Sequence, residues 1–498
     1  MNIALLLEMA AEAAPDRIGL VCDGKRWSYV QLLAAARGAV ELIEASGASH
    51  VALLDESSEA AVIALFGAGL SGVPYCPLNY RLADADLAGL LDRIAPALIV
   101  GDVARVEKLS QGKGHKTFAR ADFVAGAIGA AVPEGREYDE GVGIAVQLFT
   151  SGTTAAPKAA ILRHSNLLSY ILGTVEFAGA DEADAALVCV PPYHIAGISA
   201  LMSSIYAQRR IVMLPAFAPE SWLKLAEAEG VTNAFVVPTM LARIIDTLDK
   251  GHSANIASLR AISYGGGKMP LEIIQRALEL FPSTGFTNAY GLTETSSTVA
   301  LLGPGEHRDA HGSDDPKARA RLASVGIPLP TVEIEIRDED GNCCATGEAG
   351  EIYVRGDQVS GEYKEKSALT ADGWFPTRDA GYLDEEGYLF LSGRADDVIV
   401  RGGENMSPGE IEDVLLTHPD IADAAAVAIP SVEWGEAVGI AVVVRDGQPQ
   451  PPEAELKELI RARLRSSRVP DKVLFVSELP YNEMGKLLRR EVKVLLAN

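Results

Sequence analysis

The chain has no uninterrupted apolar run near the ~20 residues that a membrane-spanning helix needs, although apolar residues make up 48% of its 498 positions. Cysteine is sparse: Cys22, Cys76, Cys189, Cys343 and Cys344, an odd number with no CxxC pair. That pattern supports neither a disulfide framework nor a zinc site, and the expectation is reduced thiols in a cytoplasmic protein. Positive charge is also in deficit, with 44 Lys+Arg against 68 Asp+Glu and a net charge of −24. Such a surface repels nucleic-acid phosphate, so no nucleic-acid partner is expected. No internal repeat and no biased tract interrupts the chain, which excludes solenoids and disorder. The opening MNIALLLEMAAEAAPDR lacks a basic leader and is broken by Glu8 and Glu12. It reads as an amphipathic helix ending near Pro15 rather than as a signal peptide.

What is present is an alternation of helical and strand-like segments. EAAVIALFGAGLSG precedes VPYC, SWLKLAEAEG precedes VTNAFVV, and LEIIQRALELFPS precedes TGFTNAYG. Helix–Gly–strand repetition predicts an α/β fold, a large domain of layered, mostly parallel sheets with helices. From Val332 the texture changes to short alternating strands with Gly turns: VEIEIRD, GEIYVRG, GYLFLSG and DDVIVRGG. These predict a small antiparallel, β-barrel-like subdomain. Beyond Asp397 the pattern returns to α/β, giving a small α+β C-terminal domain; the boundary is expected at Gly393–Asp397, with domains 1–394 and 395–498. Gly67, Gly69 and Gly72 fit GxGxxG, but a helical stretch precedes them and Pro74 and Pro77 follow. A helix end and turn is the better reading than a dinucleotide loop. His307 and His311 have helical ligand spacing, yet GEHRDAHG is polar and reads as a solvated loop.

The segment richest in chemistry is LFTSGTTAAPKAAILRHSN, Leu148–Asn166. Small and hydroxylic residues fill Thr150–Ala155, and Lys158 closes the loop. Backbone N–H groups and hydroxyls can wrap phosphate oxygens there, with Lys158 adding charge. A Ser/Thr-rich surface turn would account for TSGTT alone, and the standard P-loop pattern fails because Ala156-Pro157 precede the lysine.

TSGTTAAPK resembles the signature loop of the adenylate-forming superfamily, which includes acyl- and aryl-CoA synthetases, luciferases and nonribosomal peptide adenylation domains. The remaining segments follow in that family's order: PPYHIAG at Pro191–Gly197, YGLTE at Tyr290–Glu294, GEIYVRG at Gly350–Gly356, GWFPTRD at Gly373–Asp379, GRADDVIVRGGEN at Gly393–Asn405 and MGKLLRR at Met484–Arg490. The resemblance spans nearly the whole chain and is nearest in pattern to acyl- and aryl-CoA synthetases. It implies an ATP-dependent acid–CoA ligase. A carboxylate attacks the ATP α-phosphate to give acyl-AMP and pyrophosphate, and a thiol then displaces AMP. The first step joins anions and needs charge screening and positioning more than acid–base chemistry.

The same resemblance assigns roles. Thr150, Ser151, Gly152, Thr153, Thr154 and Lys158 form the pyrophosphate loop, with Thr293 at the phosphates and Glu294 holding Mg²⁺. Gly265, Gly266, Gly267, Asn288, Ala289 and Tyr290 form the adenine slot. Asp379 and Arg394 take the ribose side. Lys486 reaches the α-phosphate and substrate carboxylate, Asp396 is the hinge about which the C-terminal domain rotates, and Gly402 and Gly403 line the pantetheine tunnel. His194 gates the acid pocket, with Tyr193, Ile195, Gly197, Gly267, Asn288 and Ser297 around it. Many of these are small, implying a bulky aromatic, alicyclic or fatty acid. No carrier domain follows Lys486, so CoA is expected as acceptor; a free-standing enzyme loading a carrier protein and a non-catalytic nucleotide binder are the alternatives, and a homodimer is left open. Three positions depart from the pattern: Ala155, Ala159 and Arg378 stand where glycines are usual, and an alanine is tolerated only where φ is negative.

Overall fold

The computed structural model describes the whole chain except Gln111, Glu134, 151–156, Ala395, Asp396, Val398, Gly402, Gly403, Val432, Glu433, Arg465, 483–486 and Asn498, and the side chains of Glu404 and Asn405. Two large sheets carry most of it. A nine-stranded sheet runs, edge to edge, through Ile327–Pro328, Ser297–Leu302, Gly285–Leu292, Ala261–Gly265, Asn233–Val236, Ala185–Val188, Arg210–Met213, Ile18–Cys22 and Lys25–Ser28. Its six inner strands from Gly285–Leu292 to Ile18–Cys22 are parallel. A seven-stranded sheet runs through Glu362–Tyr363, Lys158–Arg163, Ile144–Thr150, Tyr75–Pro77, His50–Leu54, Ala97–Gly101 and Lys116–Phe118. The predicted layered α/β architecture is therefore present.

Helices fill the space between the two sheets. The segment Glu59–Leu70 is apolar all round, and every one of its residues is buried. A helix apolar on all faces must be enclosed on all faces, and one hydrophobic cluster joins it to strands of both sheets, including Val51, Leu98, Ile211 and Met213. Gly67 lies inside this helix against Ala39, and Gly69 against Asn2 and Ile3. Gly72 makes the following turn at φ 69°. The GxGxxG match is thus a helix-packing and turn feature, as its flanks predicted.

The stretch from Val332 forms a four-stranded antiparallel sheet of Glu333–Arg337, Gly350–Arg355, Phe375–Leu383 and Leu389–Arg394. DDVIVRGG does not join it. Its strand Ile399–Arg401 pairs with Glu404–Met406 and touches Gly435–Val444 in the last sheet. That sheet also holds Ile421–Ser431 and Lys472–Val476, and the helices Pro408–Leu416, Glu453–Arg463 and Arg489–Ala497 complete this part of the chain. GEHRDAHG is not a solvated loop. Pro304–Gly312 is a helix, and His307 is fully buried beneath the Tyr264 hydroxyl at 2.8 Å. Pro304 at the first turn starts the helix, and tertiary burial overrides the polar composition. All five cysteines are free. Among the described residues no helix is long and apolar enough to cross a membrane.

Candidate active site

The phosphate-loop candidate sits at the crown of an antiparallel hairpin. Strands Ile144–Thr150 and Lys158–Arg163 pair in a register that puts Thr150 directly opposite Lys158. Ser151, Gly152, Thr153 and Thr154 lie between them, outside the described residues. Ala159 stands in regular strand conformation opposite Phe149 and is fully buried. No glycine is needed there, because a strand has negative φ.

A second strand brings an acid to this crown. Glu362–Tyr363 adds to the hairpin edge with Tyr363 opposite Ala160. The Tyr363 hydroxyl donates to Glu294 Oε1 at 2.6 Å, and the Lys158 ammonium lies 5.4 Å from the Tyr363 ring centre. Burial, followed by the neighbouring Glu294 charge, pushes the Tyr363 phenol well above its ordinary pKa, so it remains a donor. Glu294 is 8% exposed, and its backbone carbonyl accepts from Ser360 and Gly361 N–H. Thr293 and Glu294 share a single 3₁₀ turn that follows the strand Gly285–Leu292. After that turn the chain passes through two left-handed residues, Ser296 at φ 58° and Ser297 at φ 120°. Gly291 permits the fold-back, since a Cβ there would lie 1.7 Å from the Ser297 carbonyl oxygen.

The residues expected on the nucleotide side converge from three strands. Asp379 and Arg394 are register partners, joined by a 2.8 Å ion pair in which Asp379 is 14% exposed. The Tyr290 hydroxyl donates to the other Asp379 oxygen at 2.7 Å. Burial and the Asp379 charge hold the Tyr290 phenol far above its normal pKa. Next to it, Gly265 pairs with Ala289, and a Cβ on Gly265 would lie 2.2 Å from the Ala289 carbonyl oxygen. Asn288 donates its amide N–H to the Ser324 carbonyl at 3.1 Å. That bond uses one of the amide's two N–H donors and leaves its oxygen as an acceptor, the complement of an exocyclic amino group. Gly266 is left-handed at φ 82°, and Gly267 follows it.

His194 caps the helix Ile195–Tyr206, and its ring centre is 4.6 Å from that of Tyr193, which in turn packs edge-on to Tyr80. Desolvation lowers the His194 pKa to about 4, and its Nε2 is buried without a hydrogen-bond partner. The imidazole is therefore neutral at physiological pH and can donate to or accept from a ligand. Gly197 is buried in the first turn of the same helix, and Ile195 is half-buried.

The comparisons with known proteins agree with this geometry. The model described as AMP-binding enzyme matches residues 7–364, and the model of the AMP-binding enzyme C-terminal domain matches residues 410–486. The chain belongs to the AMP-binding enzyme family. A 2-succinylbenzoate–CoA ligase of Bacillus licheniformis is 32% identical over 98% of this chain and 98% of that protein. A fatty acid–[acyl-carrier-protein] ligase of Streptomyces coeruleorubidus is 32% identical, covering 97% of this chain and 94% of that one. An o-succinylbenzoate CoA synthetase of Bacillus subtilis, solved with its acyl-adenylate intermediate, superposes with a TM-score of 0.85 at 29% identity, covering 98% of this chain and 97% of that one. The same enzyme has also been solved with ATP and a magnesium ion.

Family membership sharpens what the geometry can hold. Among the described residues no cluster of three or more His, Cys, Asp or Glu forms a cage for a metal. Mg²⁺ does not require one, since it accepts a single carboxylate with phosphate oxygens and water. Glu294 fits that role: one oxygen is held by Tyr363, and no described donor occupies the other. Tyr363 was not visible in the motifs, although Gly361 at φ 53° just before it marks a turn that redirects the chain. Lys486, Asp396, Gly402 and Gly403 lie outside the described residues. Arg378 is described, and at φ 62° it adopts the left-handed conformation natural to the glycine usual there. Its side chain is 60% exposed and Nε lies 3.8 Å from Glu351, away from the Asp379–Arg394 pair.

Proposed function

We propose that this chain is an ATP-dependent carboxylic acid–CoA ligase acting on a bulky aryl acid. One observation carries the reading: a buried carboxylate, Glu294, is held by Tyr363 beside the hairpin of Ile144–Thr150 and Lys158–Arg163, with Arg394 of the Asp379–Arg394 pair within electrostatic reach of Tyr363. The adenine base enters between Gly265–Gly267 and Asn288–Tyr290, where Asn288 presents its amide oxygen. Asp379 accepts from the ribose hydroxyls while Arg394 and Tyr290 hold its carboxylate in place. The Thr150–Lys158 hairpin grips the outgoing pyrophosphate. Mg²⁺ bound at Glu294 supplies charge screening between the approaching anions.

The substrate carboxylate oxygen attacks the α-phosphorus, and the bond from that phosphorus to pyrophosphate breaks. In the second half-reaction the CoA thiol sulfur, having lost its proton, attacks the acyl carbonyl carbon and AMP departs with the bond's electrons. Lys486 is assigned to the first half-reaction, as a point charge between the two reacting anions. Residues 395–498 are assigned as the moving domain, pivoting at Asp396 and presenting Gly402 and Gly403 to the thiol. A neutral His194 against Tyr193 favours an aromatic acid over an amino acid, whose ammonium would find no carboxylate among the described pocket residues. CoA ligases among the relatives support CoA as acceptor, and the carrier-protein ligase at the same 32% identity is the reason to test the acceptor. The reading places the enzyme in the cytoplasm, where ATP and CoA are both available.

The test is pyrophosphate release with ATP·Mg²⁺ across a panel of aryl, alicyclic and fatty acids, with and without CoA. Turnover requiring one aryl acid and CoA is expected. Acid-dependent release indifferent to CoA but completed by a carrier protein would replace the acceptor.

A further inference from the structure

We propose that a second anion site, suited to phosphate-type oxyanions, is built by Arg17, Gln208 and Arg209 at the far end of the nine-stranded sheet from the catalytic residues. Arg17 immediately precedes the strand Ile18–Cys22, and Arg209 immediately precedes Arg210–Met213. These strands are parallel neighbours, with Leu20 opposite Ile211, so both arginines stand at the same strand ends. Tyr29 ties them together: its backbone N–H donates to the Arg17 carbonyl at 3.1 Å, and its hydroxyl donates to the Arg209 carbonyl at 3.3 Å. The catalytic glycines instead lie at the carboxyl end of Ala261–Gly265, near the opposite edge of the sheet.

Neither guanidinium has a counter-ion among the described residues. Among the described residues no ion pair uses Arg17 or Arg209, and the Nε of each is buried without a hydrogen-bond partner. Arg17 reaches only the backbone carbonyls of Ala180, at 3.1 Å, and Asp181. Burial lowers the Arg209 pKa, opposed only by the Tyr29 phenol. Both arginines lie within electrostatic reach of that phenol, and both pull its pKa down. The nearby carboxylates are committed elsewhere: Asp184 to Arg260, and Glu229 to Arg26 and Arg210, while Asp181 is 83% exposed and lies 3.9 Å from Arg260. A guanidinium stays charged at any physiological pH, and this half-buried pair has no anion among the described residues.

Gln208 is the independent mark. It is 4% exposed, its amide nitrogen is buried without a partner, and its backbone sits at φ 58°. That conformation closes the helix Ile195–Tyr206, where the Gln208 N–H donates to the Ile205 carbonyl and the Arg209 N–H to the Ser204 carbonyl, so the mark is the unpartnered amide and not the backbone. Two guanidinium forks and an amide N–H suit a dianion with many acceptor oxygens better than a carboxylate. The oxyanion comes either as free phosphate or pyrophosphate, or as the phosphate monoester of a nucleotide.

The full chain would be titrated calorimetrically at constant ionic strength with inorganic phosphate, pyrophosphate and adenosine 3′,5′-bisphosphate. Two classes of site are expected, one of them lost in Lys158→Ala. The other should weaken about tenfold or more in Arg209→Gln, consistent with loss of a hydrogen bond to a charged group, with the rate of pyrophosphate release unchanged. Gln208→Gly removes the amide and relieves the backbone, so this variant folds at least as well and should bind the second anion about threefold to tenfold more weakly. Tighter binding of inorganic phosphate would identify the free anion, and tighter binding of the bisphosphate would identify a nucleotide source. A single class lost in Lys158→Ala, with the same affinity in Arg209→Gln and Gln208→Gly, overturns the proposal.

Discussion

Tyr363 illustrates what one hydroxyl does. Its donation to Glu294 fixes one carboxylate oxygen and leaves the other for the proposed cation. A hydrogen bond to a charged group contributes about 1.5–3 kcal/mol, so Tyr363→Phe should slow pyrophosphate release roughly tenfold to a hundredfold. The half-saturating Mg²⁺ concentration should rise in the same variant, because Glu294 then samples orientations that do not face the phosphates. The ring and its contact with Lys158 remain, so folding is preserved. A slower rate with an unchanged Mg²⁺ titration would place the hydroxyl's role elsewhere. Glu294 was legible in YGLTE, but Tyr363 was not. It arrives by pairing Glu362–Tyr363 with the phosphate hairpin, a contact illustrated by Arg163 and Glu362, which are 199 residues apart. Sequence periodicity carries no information about such a long-range edge pairing. Arg378 was legible as a departure, and the left-handed backbone explains why glycine suits that place.

At the level of elements, the proposed adenine slot rests on two parallel strands that leave no room for a side chain at Gly265. Gly265 faces the Ala289 carbonyl where any side chain would intrude. Behind it, Tyr264 is anchored by His307, whose other ring nitrogen meets the Gly303 carbonyl at 2.7 Å. Gly265→Ala therefore cannot be absorbed by shifting that strand backward. Overpacking of this kind costs about 1–3 kcal/mol, and the expected outcome is a lowered urea midpoint with a KM for ATP at least tenfold higher. A variant with the lower midpoint but an unchanged KM would show that the strands separate without reshaping the slot. Gly265–Gly267 were readable as a close-approach turn because they follow a strand-like segment. The Tyr264–His307 anchor was not, since GEHRDAHG has no apolar face to announce its burial. Only the packing of Pro304–Gly312 against the sheet makes His307 a core residue. The strand Ile399–Arg401 shows the same limit: its alternating pattern predicts a strand correctly but does not say which sheet receives it.

At the scale of the whole molecule, two ion pairs connect the nucleotide end of the large sheet to the last sheet and its helices. Lys268, the residue after the adenine-slot glycines, lies 2.8 Å from both Asp413 oxygens, and Arg445 lies 3.5 Å from Glu272. All four side chains are half exposed, and such pairs contribute about 0.2–1 kcal/mol each. That is negligible for folding, yet 1 kcal/mol changes an equilibrium between two domain arrangements about fivefold. If the arrangement with these pairs serves one half-reaction, weakening them favours the other. Lys268→Glu should therefore change the two half-reaction rates in opposite directions by up to about fivefold, measured as pyrophosphate release and as CoA capture of supplied acyl-AMP. The charge swap Lys268→Glu with Asp413→Lys should restore the original ratio, which a direct effect of residue 268 on ATP would not do. Salt near 1 M, where the screening length falls to about 3 Å, should bring wild type and the single variant together. A parallel loss of both rates that the swap does not repair would mean that the pair supports the adenine loop alone and has no part in selecting between arrangements.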